Sequence, residues 1–267
     1  MNLSAAAVLL ACPTCRDSLS LTEGALRCPN GHSYDIARQG YVNLLGGAEP
    51  PNADTSAMLD ARARVHQAGV FEPVATVIGE LCSGRLHVLE AGVGTGHYLA
   101  AALGTEPSAV GVGLDVSKAA ARHCLRADRR IAAVVADVWK PLPVRDRAVD
   151  VVMSVFAPRN LPEFSRVLRP DGRFIAVTPR GGHLTGLRDA YGLLDIPIGK
   201  ADQLSAAAGE FFDLIDTRVV KYRLPVSETL ATDLIAMGPN AFHQVPTTVT
   251  ASTINVDVTI QVFRPLP

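Results

Sequence analysis

Four residues near the start of the chain have the types and spacing of a closed metal site. They read Cys12-Pro-Thr-Cys15 and then Cys28-Pro-Asn-Gly-His32, a C-x2-C-x12-C-x3-H pattern. Each half can bend as a tight knuckle, because Pro13 and Pro29 fix φ just after a ligand and Gly31 can take φ > 0. Thiolates and imidazole at this spacing suit tetrahedral Zn2+. Four protein ligands leave no open coordination position, so the metal is expected to be structural. The competing reading is a disulfide or three unrelated buried thiols. Five cysteines are an odd number, however, and the apolar stretch 3–11 lacks the basic flank and the length of a secretory leader. Cys82 and Cys124 have no ligand partners nearby and are expected in the core as small hydrophobes.

A second constellation reads Glu90-Ala-Gly92-Val-Gly94-Thr95-Gly96-His97. Its glycines permit a tight turn and bring a ligand close to backbone N–H groups at a helix start. Asp115 follows Gly96 at the distance where a carboxylate accepts both hydroxyls of a ribose, and a third acid, Asp137, ends the next apolar run. NAD and S-adenosylmethionine both present an adenosine to such a site. A dinucleotide needs G-x-G-x-x-G to seat its pyrophosphate, whereas this loop is acid-x-G-x-G-x-G. Glu90 would repel a pyrophosphate but suits the cationic sulfonium and amino group of S-adenosylmethionine, so the methyl donor is the expected ligand. A glycine-rich turn without ligand is the plain alternative.

The elements that position these residues alternate. Apolar runs at 86–90, 109–115, 131–136, 149–154 and 174–178 read as strands, with helical patterns at 96–103, 117–127 and 160–168 between them. Such alternation means right-handed βαβ units and an open parallel sheet, with ligands outside the carboxyl ends of its strands. Residues 46–52 read as a linker. Asp54 or Thr55 can cap a helix carrying Met58, Ala61, Val65 and Ala68, on which Arg62 and Arg64 are either a solvated face or functional. Segments 211–220 and 254–263 read as an antiparallel closing pair, with 226–244 lying over the pocket. Phe156 and Arg159 follow the fourth strand, where an aromatic can stack a splayed base and a guanidinium can hold phosphate; a core aromatic is the competing reading for Phe156. The run Arg122, Arg126, Arg129 and Arg130 reads as a solvated face.

With 25 Lys+Arg against 26 Asp+Glu, the chain is not a generally basic nucleic-acid binder, although local cation clusters are still open to it. Hydrophobic residues at 48% of 267 allow a substantial core, yet no run reaches the roughly 18 apolar residues of a spanning helix. No membrane partner is expected, and the location is expected to be cytoplasmic.

The chain resembles the 23S rRNA (guanine-N1)-methyltransferases, in particular the branch that confers resistance to tylosin- and mycinamicin-type macrolides. Beyond the zinc knuckles and the donor loop, the resemblance rests on several local stretches. These are Gly40-Tyr-Val-Asn-Leu-Leu45, Ala53-Asp54-Thr55 with Met58 and Ala61-Arg62, Gly113-Leu-Asp115-Val-Ser-Lys118, Phe156-Ala-Pro-Arg-Asn160, Thr178-Pro179 through His183-Leu184, and Met237-Gly238-Pro239. It implies an α/β fold: a seven-stranded Rossmann-like class I methyltransferase sheet with a small N-terminal zinc-binding module. The implied division is 1–45 as zinc-binding RNA-recognition module, 46–84 as linker and helical segment, and 85–267 as methyltransferase domain.

The same resemblance implies structural zinc on Cys12, Cys15, Cys28 and His32 and a 23S rRNA hairpin as partner, and it leaves room for a homodimer. Donor contacts are implied at Gly94 and Thr95, beside Glu90, Gly92, Gly96, Asp115 and Asp137 from the loop pattern. His183 matches a family histidine near the donor, with a helix-capping or core histidine as the plain reading. Phe71 stands where relatives carry a donor-contacting Tyr, so ring stacking is kept and a hydroxyl contact is lost. No general base is singled out. Two other classes stay open: a methyltransferase of small molecules with a decorative zinc knuckle, and a non-catalytic RNA-binding relative.

Overall fold

The computed structural model describes residues 3–197, 199–242, 246 and 248–267. The amino-terminal segment begins with the short helix α1 (Leu3–Ala7), followed by a three-stranded antiparallel sheet of β1 (Ser20–Thr22), β2 (Ala25–Arg27) and β3 (Ser33–Asp35). Then comes the two-residue strand β4 (Val42–Asn43). Two helices lead into the main body. α2 (Ser56–Gln67) is capped by Thr55, whose hydroxyl accepts the Met58 N–H. α3 (Glu72–Cys82) starts on Phe71, with Pro73 in its first turn where a missing N–H costs nothing.

The alternating pattern then builds β5 (His87–Ala91), α4 (His97–Leu103), β6 (Val110–Asp115), α5 (Lys118–Ala127), β7 (Ile131–Val135), β8 (Val149–Val155), α6 (Leu161–Val167) and β9 (Leu168–Pro179). Every residue of β6, β7 and β8 is buried, as strands covered by helices on both faces must be. Helices α7 (Thr185–Tyr191) and α8 (Lys200–Ala208) precede the closing hairpin. That hairpin is β10 (Phe212–Val226) and β11 (Ser252–Pro265), with α9 (Glu228–Ala236) and a 3-10 turn (Pro239–Phe242) between the two strands. Both closing strands run longer than their apolar cores. Residues 243 and 244 of the expected covering segment lie outside the described residues.

Strand order is β10-β11-β9-β8-β5-β6-β7-β4. The seven expected strands are joined by an eighth, so the seven-strand count is corrected to eight among the described residues. Val42 and Asn43 add in parallel beside Val134 and Val135, and the Leu44 N–H extends the ladder to the Val135 carbonyl at 2.9 Å. A run this short carries no periodicity for a sequence reading to detect. The order reverses between β5 and β8, and this switch point is where open sheets of this kind leave a crevice.

Two apolar layers flank the sheet. One joins α3, α4, α5 and α9 to it; the other holds α1 with α6, α8 and the Phe164, Phe174, Phe212 and Phe263 cluster. Leu3, Ala6, Ala7, Leu9 and Leu10 are buried in this second layer. The chain just after α1 is also stitched to the segment after β7: Ala11 N–H donates to the Pro143 carbonyl at 3.1 Å, and Arg145 N–H donates to the Leu9 carbonyl at 2.9 Å. Among the described residues no helix is long and apolar enough to cross a membrane. Leu10→Ala, which empties a fully buried position of this layer, is expected to cost about 2–5 kcal/mol in urea unfolding. A loss below about 1 kcal/mol would show that the segment just after α1 is not part of the sheet's core.

Candidate active site

The metal ligands converge. One ligand atom from each of Cys12, Cys15, Cys28 and His32 lies within 4.8 Å of all the others. Cys15 Sγ is 3.7 Å from Cys28 Sγ, and His32 Nδ1 is 3.6 Å from Cys12 Sγ and 3.3 Å from Cys28 Sγ. Tetrahedral zinc, with Zn–S of about 2.3 Å and Zn–N of about 2.0–2.1 Å, requires edges of roughly 3.8 Å and 3.5 Å. The four side chains therefore frame a zinc-sized hole, and no disulfide forms. Surrounding groups fix the ligands: Tyr34 Oη lies 3.2 Å from Cys12 Sγ, and Asn30 Nδ2 donates to Cys15 Sγ at 3.3 Å. Burial opposes ionisation of Cys12, but the Tyr34 hydroxyl and the Cys15 and Thr14 backbone outweigh it and bring the thiol down to about 6. Cys82 and Cys124 are buried in the apolar layer, and burial pushes the Cys82 thiol up to about 12.

The loop between β5 and α4 sits at the switch point. Gly92 has φ +72°, and a Cβ there would meet Ala157 Cβ at 2.5 Å, so the loop touches the segment after β8. A Cβ on Gly94 would meet Arg62 Nη1 at 2.8 Å. Asp115, the last residue of β6, accepts the Gly94 N–H at 2.9 Å and the Ser117 N–H at 2.9 Å. Burial raises its carboxyl to about 6 against these two bonds. Glu90 is 1% exposed, and its Oε2 has no hydrogen-bond partner. Burial holds this carboxyl well above the usual carboxylate range, with the Asp115 charge acting in the same direction. An orphaned buried acid beneath a glycine cradle fits a ligand that brings positive charge. Asp137, two residues past the end of β7, is half-buried, and its Oδ1 accepts the Trp139 N–H at 2.9 Å.

Helix α2 lies over this loop. Arg62 pairs with Asp54 at 2.6 Å and donates to the Met237 carbonyl at 2.6 Å, which leaves its guanidinium standing on Gly94. Arg64 grips Asp233 of α9 through two bonds, at 2.8 and 2.6 Å. Arg62 is not on a solvated face, whereas Arg64 stays exposed while tied to Asp233. His66 Nδ1 lies 3.0 Å from Thr95 Oγ1, and its ring stacks on His97 with centroids 4.1 Å apart. Burial, together with His97 and Arg62, pushes His66 down to about 3, so the imidazole is neutral.

An aromatic group continues from His66. Phe71 is 6.2 Å from His66, 6.2 Å from Phe156 and 6.0 Å from His183, and Phe156 stacks on His183 at 5.7 Å. Phe156 has φ +53° and is 41% exposed, a strained backbone at the end of β8 and not the geometry of an ordinary core aromatic. His183 Nδ1 accepts the Asp257 N–H at 3.3 Å, which leaves the ring proton on Nε2; burial, with Arg188, lowers its pKa to about 4.

The structure thus gathers Gly92, Gly94, Thr95, Gly96 and Asp115 at one loop, with Glu90 beneath it and Phe71 and His183 joined to it through His66. Asp137 follows Ala136, whose N–H donates to the Asp115 carbonyl at 2.9 Å, and among the described residues its side chain makes no hydrogen bond with Glu90 or Asp115. Sequence reasoning missed His66 and His97, and it left Arg62 undecided. The signal was available: His97 directly follows Gly96, and His66 lies one helical turn after Arg62. Arg130 also departs from the solvated reading, since it pairs with Asp128 at 2.6 Å and caps the carbonyls of Leu103, Gly104 and Glu106.

Removal of zinc by a chelator is expected to unravel 12–35 while leaving β5–β9 folded, because fewer than about 40 residues rarely hold a core alone. Hydrogen exchange localised to the knuckles and β1–β3 would bear this out, whereas loss of protection throughout the large sheet would refute it.

Two family profiles match in order along the chain: the RlmA N-terminal zinc ribbon over residues 10–47 and a methyltransferase domain over 88–172. A provisionally named 23S rRNA (guanine-N(1)-)-methyltransferase of Micromonospora griseorubida is 39% identical, covering 96% of this chain and 97% of its own. The 23S rRNA (guanine(748)-N(1))-methyltransferase of Streptomyces fradiae is 38% identical, with 97% of each chain covered. Among solved structures, a chain from the complex of the Haloferax volcanii Trm112 methyltransferase activator and a methyltransferase superposes with TM-score 0.51. That chain is 15% identical and covers 79% of this chain and 99% of its own, a likeness of fold alone. Similarity at this level through both the zinc ribbon and the catalytic sheet means that the chain belongs to the 23S rRNA (guanine-N1)-methyltransferase family.

Proposed function

We propose that this protein transfers a methyl group from S-adenosylmethionine to N1 of a guanine in a 23S rRNA hairpin, in the cytoplasm, with macrolide resistance as its outcome. The observation that carries the reading is the full-length similarity to relatives named for that reaction, joined to a closed Cys3His cluster and an acid-x-G-x-G-x-G loop in one chain. Residues 1–45 act as the zinc-stapled RNA-recognition module, 46–84 as the connecting helical segment and 85–267 as the methyltransferase domain. Every side chain assigned to the site comes from one chain, so a homodimer is compatible with the reaction without being needed for it.

S-adenosylmethionine supplies a methyl group on a positively charged sulfur, already activated for in-line attack. Asp115 accepts the ribose hydroxyls with its remaining lone pairs, and Asp137 faces the adenine. Glu90 balances the donor's positive charge from below the loop. The backbone of Gly92, Gly94 and Gly96, with Thr95, shapes the cradle, and Arg62 stands where it can meet the donor carboxylate. Phe71 and His183 wall the methyl side. Phe156 stacks the entering guanine and Arg159 holds a neighbouring phosphate. With His183 neutral and its Nδ1 already accepting a hydrogen bond, that ring orients the site through Nε2–H and does not take the guanine N1 proton.

Labelled donor should mark 23S rRNA, and primer extension should stop at one guanine, because a methyl on N1 blocks the Watson–Crick edge. Label in a metabolite extract but none in RNA would overturn the reading. Asp115→Ala is expected to weaken donor binding by about 1–3 kcal/mol in calorimetry. In the native protein, donor affinity should rise as pH increases through about 6 and then level off, because only the ionised carboxyl is a full-strength acceptor. Affinity that is flat across that range, and unchanged in the variant, would remove Asp115 from the site.

A further inference from the structure

Trp139 is the chain's only tryptophan and is 69% exposed, two residues past the Asp137 tip. A single exposed apolar side chain is ordinary on a soluble surface and decides nothing by itself. Its frame is what needs a reason. The Trp139 N–H donates to Asp137 Oδ1 at 2.9 Å, and the Lys140 N–H donates to the Asp137 carbonyl at 3.1 Å. From the other side, Asn160 Nδ2 donates to the Val138 carbonyl at 2.9 Å and to the Lys140 carbonyl at 3.3 Å. The backbone on either side of the indole is therefore pinned, while the ring itself stands in water.

Asn160 also ends the segment Phe156–Asn160, so it ties the tryptophan turn to the loop assigned to the incoming guanine. Two cations flank the tie. Lys140 is exposed, and Arg159 has a buried Nε without a hydrogen-bond partner and no ion pair among the described residues. A rigid exposed aromatic, continuous with a base-accepting loop and flanked by unneutralised cations, has the composition of a single-strand stacking platform.

We infer that Trp139 stacks an unpaired hairpin base neighbouring the target guanine, with Lys140 and Arg159 on the adjoining phosphates. The inference rests on the proposed rRNA reading and names a contact of that same site. Trp139 acts on substrate positioning and touches no reacting atom.

Because there is one tryptophan, its fluorescence reports this position alone. Titrating an in vitro transcript of the 23S rRNA hairpin into protein saturated with S-adenosylhomocysteine should quench the emission saturably. Trp139→Ala should raise KM for the hairpin about 5- to 100-fold, more than it lowers kcat, with donor affinity retained and with Trp139→Phe recovering most of the loss. Methylation of the hairpin with unquenched emission, or an unchanged KM in Trp139→Ala, would overturn the inference while leaving the enzyme's function intact. Quenching by S-adenosylhomocysteine alone, with no further change on adding RNA, would overturn it in favour of an adenine contact. A wild-type protein that methylates no RNA would overturn the underlying reading itself.

Discussion

Asp115 ends β6 with both carboxylate oxygens held by backbone N–H groups of two different loops, Gly94 from the β5–α4 turn and Ser117 at the cap of α5. From this pair a closed circuit runs through the site. Ser117 Oγ donates to the Asp54 carbonyl at 2.7 Å, the Asp54 side chain holds Arg62, and Arg62 stands on Gly94. One buried acid thus sets the position of a strand tip, a helix cap, the linker and the covering helix together. Burial works against its charge, as the rise to about 6 records, and the two N–H donors hold it in place despite that. A carboxylate already satisfied by backbone is pre-oriented, so a ligand that uses its remaining lone pairs meets a group that need not move.

The second constraint comes from size. The knuckle region is too small to bury a core of its own, and it meets this limit in two ways. Its ligands form a metal-sized tetrahedron that cross-links residues 12 to 32. It is also anchored to the larger sheet at two places: α1 and the residues after it pack below the sheet, and β4 adds to the β7 edge. Arg16 Nη1 donates to the Leu142 carbonyl at 2.7 Å and adds a third link near the first. A module held this way presents its surface at a fixed place beside the β7 edge, which suits the RNA-recognition role proposed for it.

The parts legible in the sequence are those where one residue type admits few conformations. Cys-x2-Cys with Cys-x3-His has one economical geometry, and glycines at 92, 94 and 96 all take the left-handed backbone that their spacing announces. The strand–helix alternation was equally readable, because fully buried β-branched runs have little other use. What was not legible depends on distance in the chain. Arg64 meets Asp233 across 169 residues, and Arg62 meets Met237 across 175, so no local pattern separates them from a solvated pair. His66 gains its role from Thr95 and His97, and β4 from a neighbour 92 residues away. The eighth strand and the seating of α2 on the donor loop, though not α2 itself, are consequences of topology, and single-sequence periodicity stops short of topology.

The histidines show how such a site can surround a charged donor without titrating. His66, His97 and His183 are all pushed below the ordinary imidazole range, chiefly by burial. An imidazole near 4 is a weak base at neutral pH, and a ring whose Nδ1 already accepts a hydrogen bond has no lone pair to offer the substrate. Neutral rings serve the chemistry in another way. A cationic donor needs walls that add no positive charge, and aromatic faces supply negative quadrupole where water would compete. On the proposed reading these neutral histidines do not take the guanine proton, and the role of the aromatic group and the Asp115 circuit is to hold the two partners in line. For a transfer whose leaving group already carries positive charge, orientation of this kind can supply several kcal/mol of the barrier, on the order of 7–11 in well-aligned cases, without any ionisation by the protein.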